Sequence, residues 1–348
     1  MATVYSARAY SAYGQLLGIL RPLAVEAGMV VNNAGEASVM VQQERLPSWW
    51  KDVQLLDVWR YSGLGRSGRW GCYQVRAWTD KVDGLKATWR FGGKTLAHFL
   101  TGRPGMQSTI AASATTQDLA HHAILGGLGA WPTAITVSLA GIDGPSQRLT
   151  AKQTNQATLS ALQGLVSAAK AFPLSEPFNF DVLPVIGSDG SLSLTLATWT
   201  GEYGQDRRLS SGASPVVLWP NSMTTGYEAT EDRSSITTAV ELGVGWKRVT
   251  NTAALENPFG EYYATYKSST SDSYPQDVTD AQAAIQAGRP LTKLSLTLTV
   301  DVDALDLGLG DVVSVVYGGA FVDGRVNVLH ASWTESGEKV SARVDIEI

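Results

Sequence analysis

Apolar and polar positions alternate strictly from Leu294 to Val302, which reads Leu-Ser-Leu-Thr-Leu-Thr-Val-Asp-Val. After it come Leu309–Tyr317, an Asp323-Gly324 turn and Arg325–His330, and the alternation returns in Val340, Ala342, Val344, Ile346 and Ile348. A period of two sends every second side chain to one face, so each stretch predicts a half-buried antiparallel strand. Ile348 is still in phase, which predicts a C-terminus held within a sheet.

Earlier stretches carry the same signal. Val30-Val31 and Val39-Met40-Val41, parted by Asn32-Asn33 and Gly35, predict a hairpin. Leu55-Leu56 and Val58–Tyr61 follow as a strand. Tyr73, Val75, Ala77 and then Leu85, Ala87, Trp89, Phe91 predict another hairpin around Asp83-Gly84. Lys94–Leu100 changes to helical spacing and stops at Gly102. A helix is expected from Thr115 or Thr116, with Asp118 in its first turn, to Gly126-Gly127. Asn155–Ala171 is the clearest amphipathic helix, with Leu159, Leu162, Leu165 and Val166 on one face and Thr154 or Asn155 as cap. Phe178, Phe180, Val182 and Leu192, Leu194, Leu196 flank a Gly187–Gly190 turn as a hairpin. Gly201–Gln205 and Ser210–Ser214 read as loops, Ile236–Trp246 and Glu261–Tyr266 as strands. Ser268–Asp277 is polar and expected to be exposed. Val278–Ala287 reads as a short helix closed by Gly288 and Pro290.

This order predicts an α+β fold with two or more antiparallel β-rich regions, barrel-like or sandwich-like, and interposed helices. The expected divisions are an N-terminal segment 1–27, a β-rich domain 28–92, a helical insertion 93–172, a second β-rich domain 173–290 and a C-terminal sheet 291–348. The length of 348 residues agrees, since it corresponds to roughly two or three domains.

Composition narrows the function. Apolar residues make up 44% and charged residues 17%, enough for sizeable cores and too little charge for a disordered chain. A net charge of −5 argues against a nucleic-acid groove binder, while an acidic wall still suits a passage that DNA crosses without adhering. Cys72 is the sole cysteine, so no disulfide framework or cysteine-rich zinc site is expected. No apolar signal-peptide core follows Met1, and no stretch approaches the ~20 apolar residues of a membrane span. A soluble protein made in the cytoplasm is therefore expected. Trp49, Trp50, Trp59, Trp70, Trp78 and Trp89 cluster in one region. Such aromatics serve as core, as subunit contacts or as a sugar platform, and burial is expected for Trp59, Trp78 and Trp89.

Candidate chemistry is sparse. Gly92-Gly93-Lys94-Thr95 has the ending of a phosphate loop, but Thr88 stands where the motif needs glycine. His121-His122 point ~100° apart on a helix and ligate one metal poorly. Asp301, Asp303 and Asp306 are a weak calcium pattern, with Leu305 where an oxygen ligand belongs. Glu202, Asp206, Glu228, Glu231 and Asp232 are the acids from which a glycosidase pair would have to come. No nucleophile elbow is present. The reading is a non-enzyme with no catalytic, cofactor or metal residues. Asp311, at the start of a strand, is expected to bond backbone amides and not to catalyse.

Three segments resemble the tail hub, or baseplate hub, proteins of long-tailed bacteriophages and prophages. The first runs from Leu55-Leu56-Asp57-Val58-Trp59-Arg60 through Gly71–Val75 to Gly92–Arg103, similar to the family's strand pairs leading into a Gly-x-x-Leu-x-x-Leu-Leu-x-x-Arg helix. The second is Gly201-Glu202-Tyr203-Gly204-Gln205-Asp206-Arg207, although Arg208 replaces the pattern's threonine. The third is Leu309-Gly310-Asp311-Val312-Val313. The resemblance implies a structural virion protein at the tail tip, a ring with a trimer as the expected order. Such a hub would join the tail tube or distal tail protein to fibre or spike proteins, and DNA would leave through it. A carbohydrate- or receptor-binding tail protein and a tail-borne cell-wall hydrolase are the alternatives.

Overall fold

The computed structural model describes residues 3–62, 67–83, 86–101, 114–115, 137–139, 148–149, 157–171, 177–211, 214–219, 224–231, 236–242, 245–249, 262–267, 292–298 and 305–347. The first part of the chain is a run of strands: β1 Val4–Tyr10, β2 Leu16–Leu20, β3 Ala24–Val30, β4 Glu36–Gln42, β5 Leu55–Tyr61, β6 Gly68–Asp83 and β7 Lys86–Thr95. The middle holds β8 Ala114–Thr115, β9 Val137–Leu139, β10 Arg148–Leu149, α1 Thr158–Ala171, β11 Phe178–Ile186 and β12 Leu192–Thr200. Then come β13 Asp206–Arg207, β14 Val217–Leu218, β15 Thr224–Glu231, β16 Ile236–Leu242, β17 Gly245–Val249, β18 Tyr262–Lys267 and β19 Thr292–Leu298. β20 Val312–Tyr317, β21 Ala320–Thr334 and β22 Gly337–Glu347 close the order.

Among the described residues the main sheet has 14 strands, in the order β15-β19-β22-β21-β3-β4-β7-β6-β5-β1-β2, with β13 and β14 pairing β20 and β20 pairing β21. β21 is the hinge of this topology. Its first half pairs β20 from Val312↔Arg325 to Tyr317↔Ala320. Its second half pairs β3 from Val328↔Val30 to Thr334↔Ala24. The C-terminal hairpin therefore joins the strands of residues 28–92 directly. The expected N-terminal segment 1–27 supplies β1, β2 and the start of β3 to the same sheet.

The alternating positions fill three cores. The inner face of the first strands buries Tyr5, Ala7, Val25, Val39, Val58 and Phe91. Leu162 and Leu165 of α1 pack on Phe178, Phe180, Leu194 and Leu196, and this group reaches Tyr10, Leu55 and Leu100. Each buried leucine contributes about 2 kcal/mol. Val313, Val315, Val326, Val344 and Ile346 form the C-terminal core.

Most of the expected hairpins are present, with β3–β4, β6–β7 and β11–β12 in the predicted places. Three expectations are corrected in whole or in part. The α+β class is met in part: the architecture is β-rich as expected but mostly β, with α1 and short 3₁₀ turns as helices among the described residues. Lys94 and Thr95 stay in β7, and only Leu96–Leu100 coils, as a 3₁₀ turn. Thr115 lies in β8, and the helix expected from Thr115 or Thr116 to Gly126-Gly127 falls outside the described residues. Asp323-Gly324 is strand, and the turn falls at Gly318-Gly319. The expected helix 278–287, the loop 268–277 and all of 116–126 lie outside the described residues.

Candidate assembly core and surfaces

Two of the segments singled out above hold each other. Asp206↔Val312 and Arg207↔Val313 pair in parallel, so the loop after β12 is stitched to the start of β20. Asp311 is buried there. Its Oδ1 accepts from the Gln205 amide at 2.8 Å and its Oδ2 from the Gly308 amide at 2.7 Å. Arg207 stands 3.8 Å from the same carboxylate, and also donates to the carbonyls of Asp306 and Ser214. The carboxylate is thus used on backbone amides and one arginine, as expected of Asp311. Arg208, the departure from the family pattern, bridges Asp206 at 2.6 Å and Asp323 at 2.9 Å. Its hydrogen bond to Asp206 is the main reason that carboxyl sits below the usual range.

The remaining segment faces this junction. A cavity of about 870 Å³ is lined by Arg60, Arg69 and Trp70 on one side and by Tyr203, Gly204 and Asp311 on the other. All three segments therefore meet around one space, although 100 residues or more separate their positions in the chain.

Two buried charge clusters brace the wall formed by β5 and β6. Arg60 is 2% exposed, and its Nε and Nη2 donate to Glu338 at 2.8 and 2.7 Å. The Tyr5 hydroxyl donates to the same carboxylate at 2.5 Å. Burial pushes Glu338 up, but the hydrogen bonds from Arg60 and Tyr5 outweigh it and hold the carboxyl below its ordinary range. Burial likewise drives the Tyr5 hydroxyl up. Asp57 is fully buried; Arg69 Nε lies 2.8 Å from Oδ1, and Trp59 Nε1 donates to Oδ2 at 2.7 Å. Its desolvation exceeds what Trp59 and Arg69 return, so its carboxyl is raised. Arg8 stacks over the Trp59 ring at 4.5 Å. None of this clustering shows in local sequence, because Arg60 and Glu338 lie 278 residues apart.

The tryptophans divide. Trp89 is buried, Trp59 is half-buried, and Trp78 is 55% exposed, which corrects the expectation for Trp78. Trp50 packs on Trp89 at 4.1 Å with the rings tilted by 47°, and meets Trp78 edge-on at 5.3 Å. In this cluster the exposed Trp78 indole packs at a tilt, 4.8 Å away, on the buried Trp89, as a rim of the core.

The other candidates are accounted for as far as they are described. Gly92–Thr95 is strand, and Lys94 pairs with Glu36 at 3.4 Å, so no phosphate loop forms. Glu202 pairs with Arg325, and Asp206 with Arg208. Glu228 and Glu231 lie on β15. Asp306 offers its carbonyl to Arg207. His121, His122, Asp232, Asp301 and Asp303 lie outside the described residues. Among the described residues no group of His, Cys, Asp and Glu is placed to hold a metal, and no helix is long and apolar enough to cross a membrane.

Neither a family model nor a curated protein sequence matches this chain. Solved structures do, and they define a class: the fold is that of phage and prophage tail proteins. The tail protein of Neisseria meningitidis MC58 superimposes with a TM-score of 0.60 at 14% identity, over 100% of this chain and 97% of that one. The 43 kDa tail protein of prophage MuSo2 from Shewanella oneidensis gives 0.58 at 11% identity, over 98% and 97%. A component of the E. coli type VI secretion system, described as structurally similar to T4 bacteriophage tail proteins, gives 0.50 at 10%, over 94% and 73%. The tail-protein resemblance read from the three short segments thus extends to the fold of the whole chain.

Proposed function

We propose that this chain is a structural protein of a phage or prophage tail, acting as the hub of the tail tip. In this role it joins the tail tube or distal tail protein to fibre or spike proteins, and its ring forms part of the channel through which DNA leaves. The observation that carries the reading is the end-to-end likeness to tail proteins, with 100% of this chain and 97% of the Neisseria protein superimposed. The convergence of all three hub-like segments on one buried junction supports it. The net charge of −5 suits a wall that DNA passes without adhering.

The role is mechanical and not enzymatic. Glu202 and Asp206, described members of the candidate acid set, are both spent on arginines. The proposed assembly is a closed ring of identical chains, a trimer, because a heterologous interface between copies closes only under rotational symmetry. Antibody labelling of purified tails tests the placement. Label concentrated at the tip supports the hub; label along the whole tube, or absent from tails, counts against it.

A further inference from the structure

The main sheet is open at both ends. β2 is one end and β15 the other, and among the described residues each has a single strand neighbour, β1 for β2 and β19 for β15. Among those residues no backbone hydrogen bond outside the β1 ladder reaches Leu16–Leu20. A free edge presents a row of backbone amides and carbonyls that a further strand can pair. The packed layer extends as far as β2: a Cβ on Gly18 would stand 2.4 Å from the Trp49 ring. Leu16 and Ile19 nevertheless stay 47% and 60% exposed, and exposed Arg21 follows the strand.

The two end strands run the same way. Ten pairings lead from β15 through β19, β22, β21, β3, β4, β7, β6, β5 and β1 to β2, and each is antiparallel. Ten reversals restore the starting direction. Rotation about a ring axis does not reverse a strand, so β2 of one copy would meet β15 of the next in parallel. The charges agree with that direction. β2 follows the neutral Tyr13-Gly14-Gln15 and ends at Arg21. β15 starts with the neutral Thr224-Thr225-Gly226-Tyr227 and carries Glu228 and Glu231 in its second half. In parallel, Arg21 falls at the acidic end of β15; in antiparallel it falls at Thr224. Opposite charges on neighbouring strands stabilise a sheet.

We infer that β2 of one copy pairs in parallel with β15 of the next copy, so that the main sheet runs on from chain to chain. A second copy is the occupant because the two open ends match each other in direction and in charge, and because one such contact covers both. A foreign strand on β2 would leave β15 open. The inference rests on the proposed arrangement of identical chains around an axis, where a heterologous contact joins two different surfaces of the same chain, and it names those surfaces.

Cysteine pairs in assembled tails test it. Native Cys72 is buried with its thiol pushed up, and so stays silent. Leu16→Cys with Thr224→Cys puts thiols at the matching ends of the parallel strands. Leu16→Cys with Thr230→Cys moves the second thiol six residues along, ~20 Å away, whereas a disulfide needs Cα atoms within about 7 Å. Mild oxidation should turn most chains of the first variant into covalent trimers and leave the second monomeric. Arg21→Glu in the first variant should lower the trimer yield. Cross-linking of the second variant as well as or better than the first overturns the inference. So does capture of a different tail protein, or no cross-link in either variant; a closed ring seen in those same tails would then leave the hub reading standing without this contact. Covalent ladders longer than three chains would uphold the strand pairing and count against the closed trimer.

Discussion

Gly204 lies directly against Asp311. A Cβ built on Gly204 would stand 2.3 Å from the Asp311 amide nitrogen and 2.6 Å from its Oδ1. The Asp311 carboxylate in turn accepts from the Gln205 amide at 2.8 Å. This contact is what lets β13 lie beside β20, and with it the mid-chain loop against the C-terminal sheet.

Gly204→Ala should therefore destabilise the chain by about 2–3 kcal/mol, because backbone opposes the new methyl group on one side. Asp311→Ala should cost a similar ~2–3 kcal/mol by removing the buried acceptor of the Gln205 and Gly308 amides and leaving Arg207 without its carboxylate. Urea unfolding measures both. A change under about 0.5 kcal/mol, the usual size for an unstructured surface site, would show that the junction does not bear on stability.

The Arg60–Glu338 pair sets an acid limit. The Glu338 carboxyl lies below its ordinary 4.5 in the fold. A lowered acid contributes stability that is present above 4.5 and lost as pH falls through its folded value. Glu338→Gln should thus be less stable than the parent at neutral pH, and the gap should close below pH 4.5. Denaturation midpoints from pH 3 to 7 provide the readout, and a gap that stays constant would contradict it.

Asp57 behaves oppositely. Its carboxyl is raised above 3.8 by burial, so the charged form costs stability as pH climbs through the folded value. Arg69→Met removes the compensating guanidinium and should cost about 3 kcal/mol. Adding Asp57→Asn should recover part of that loss. No recovery in the double variant would mean that Arg69 acts by packing alone.

Trp89→Ala should cost about 3–5 kcal/mol as a large buried aromatic. Trp78→Ala should cost clearly less, since Trp78 is 55% exposed. In collisional quenching, Trp78 should account for a much larger accessible fraction than Trp89. Equal destabilisation by the two would show that Trp78 is covered.

Alternation made much of the β architecture legible, and its failures have local causes. Asp323-Gly324 reads as a turn because glycine favours turns. In the fold Gly324 is a strand residue with Val344 and Val315 methyl groups 2.7 and 2.8 Å from where its Cβ would be. It is glycine because strands crowd it, and the chain turns earlier, at Gly318-Gly319. Trp78 on β6 and Trp89 on β7 face the same side of the sheet, yet only Trp89 is buried, and Trp78 reaches that face because the register shifts between Val75 and Ala77. Pairing gives the face; cover depends on where β5 ends. The Asp311 contact was legible because a short carboxylate at a strand start has few uses. The locks at Arg60–Glu338 and Asp57–Arg69 were not, since each joins residues on different strands with no local spacing rule.

The ring is the central claim. High-resolution imaging of purified tails, with the chain located at the tip, tests it most directly by counting copies and their symmetry. The account predicts three copies in a closed ring around the axis. A single copy, or an open helical array of copies, would contradict it.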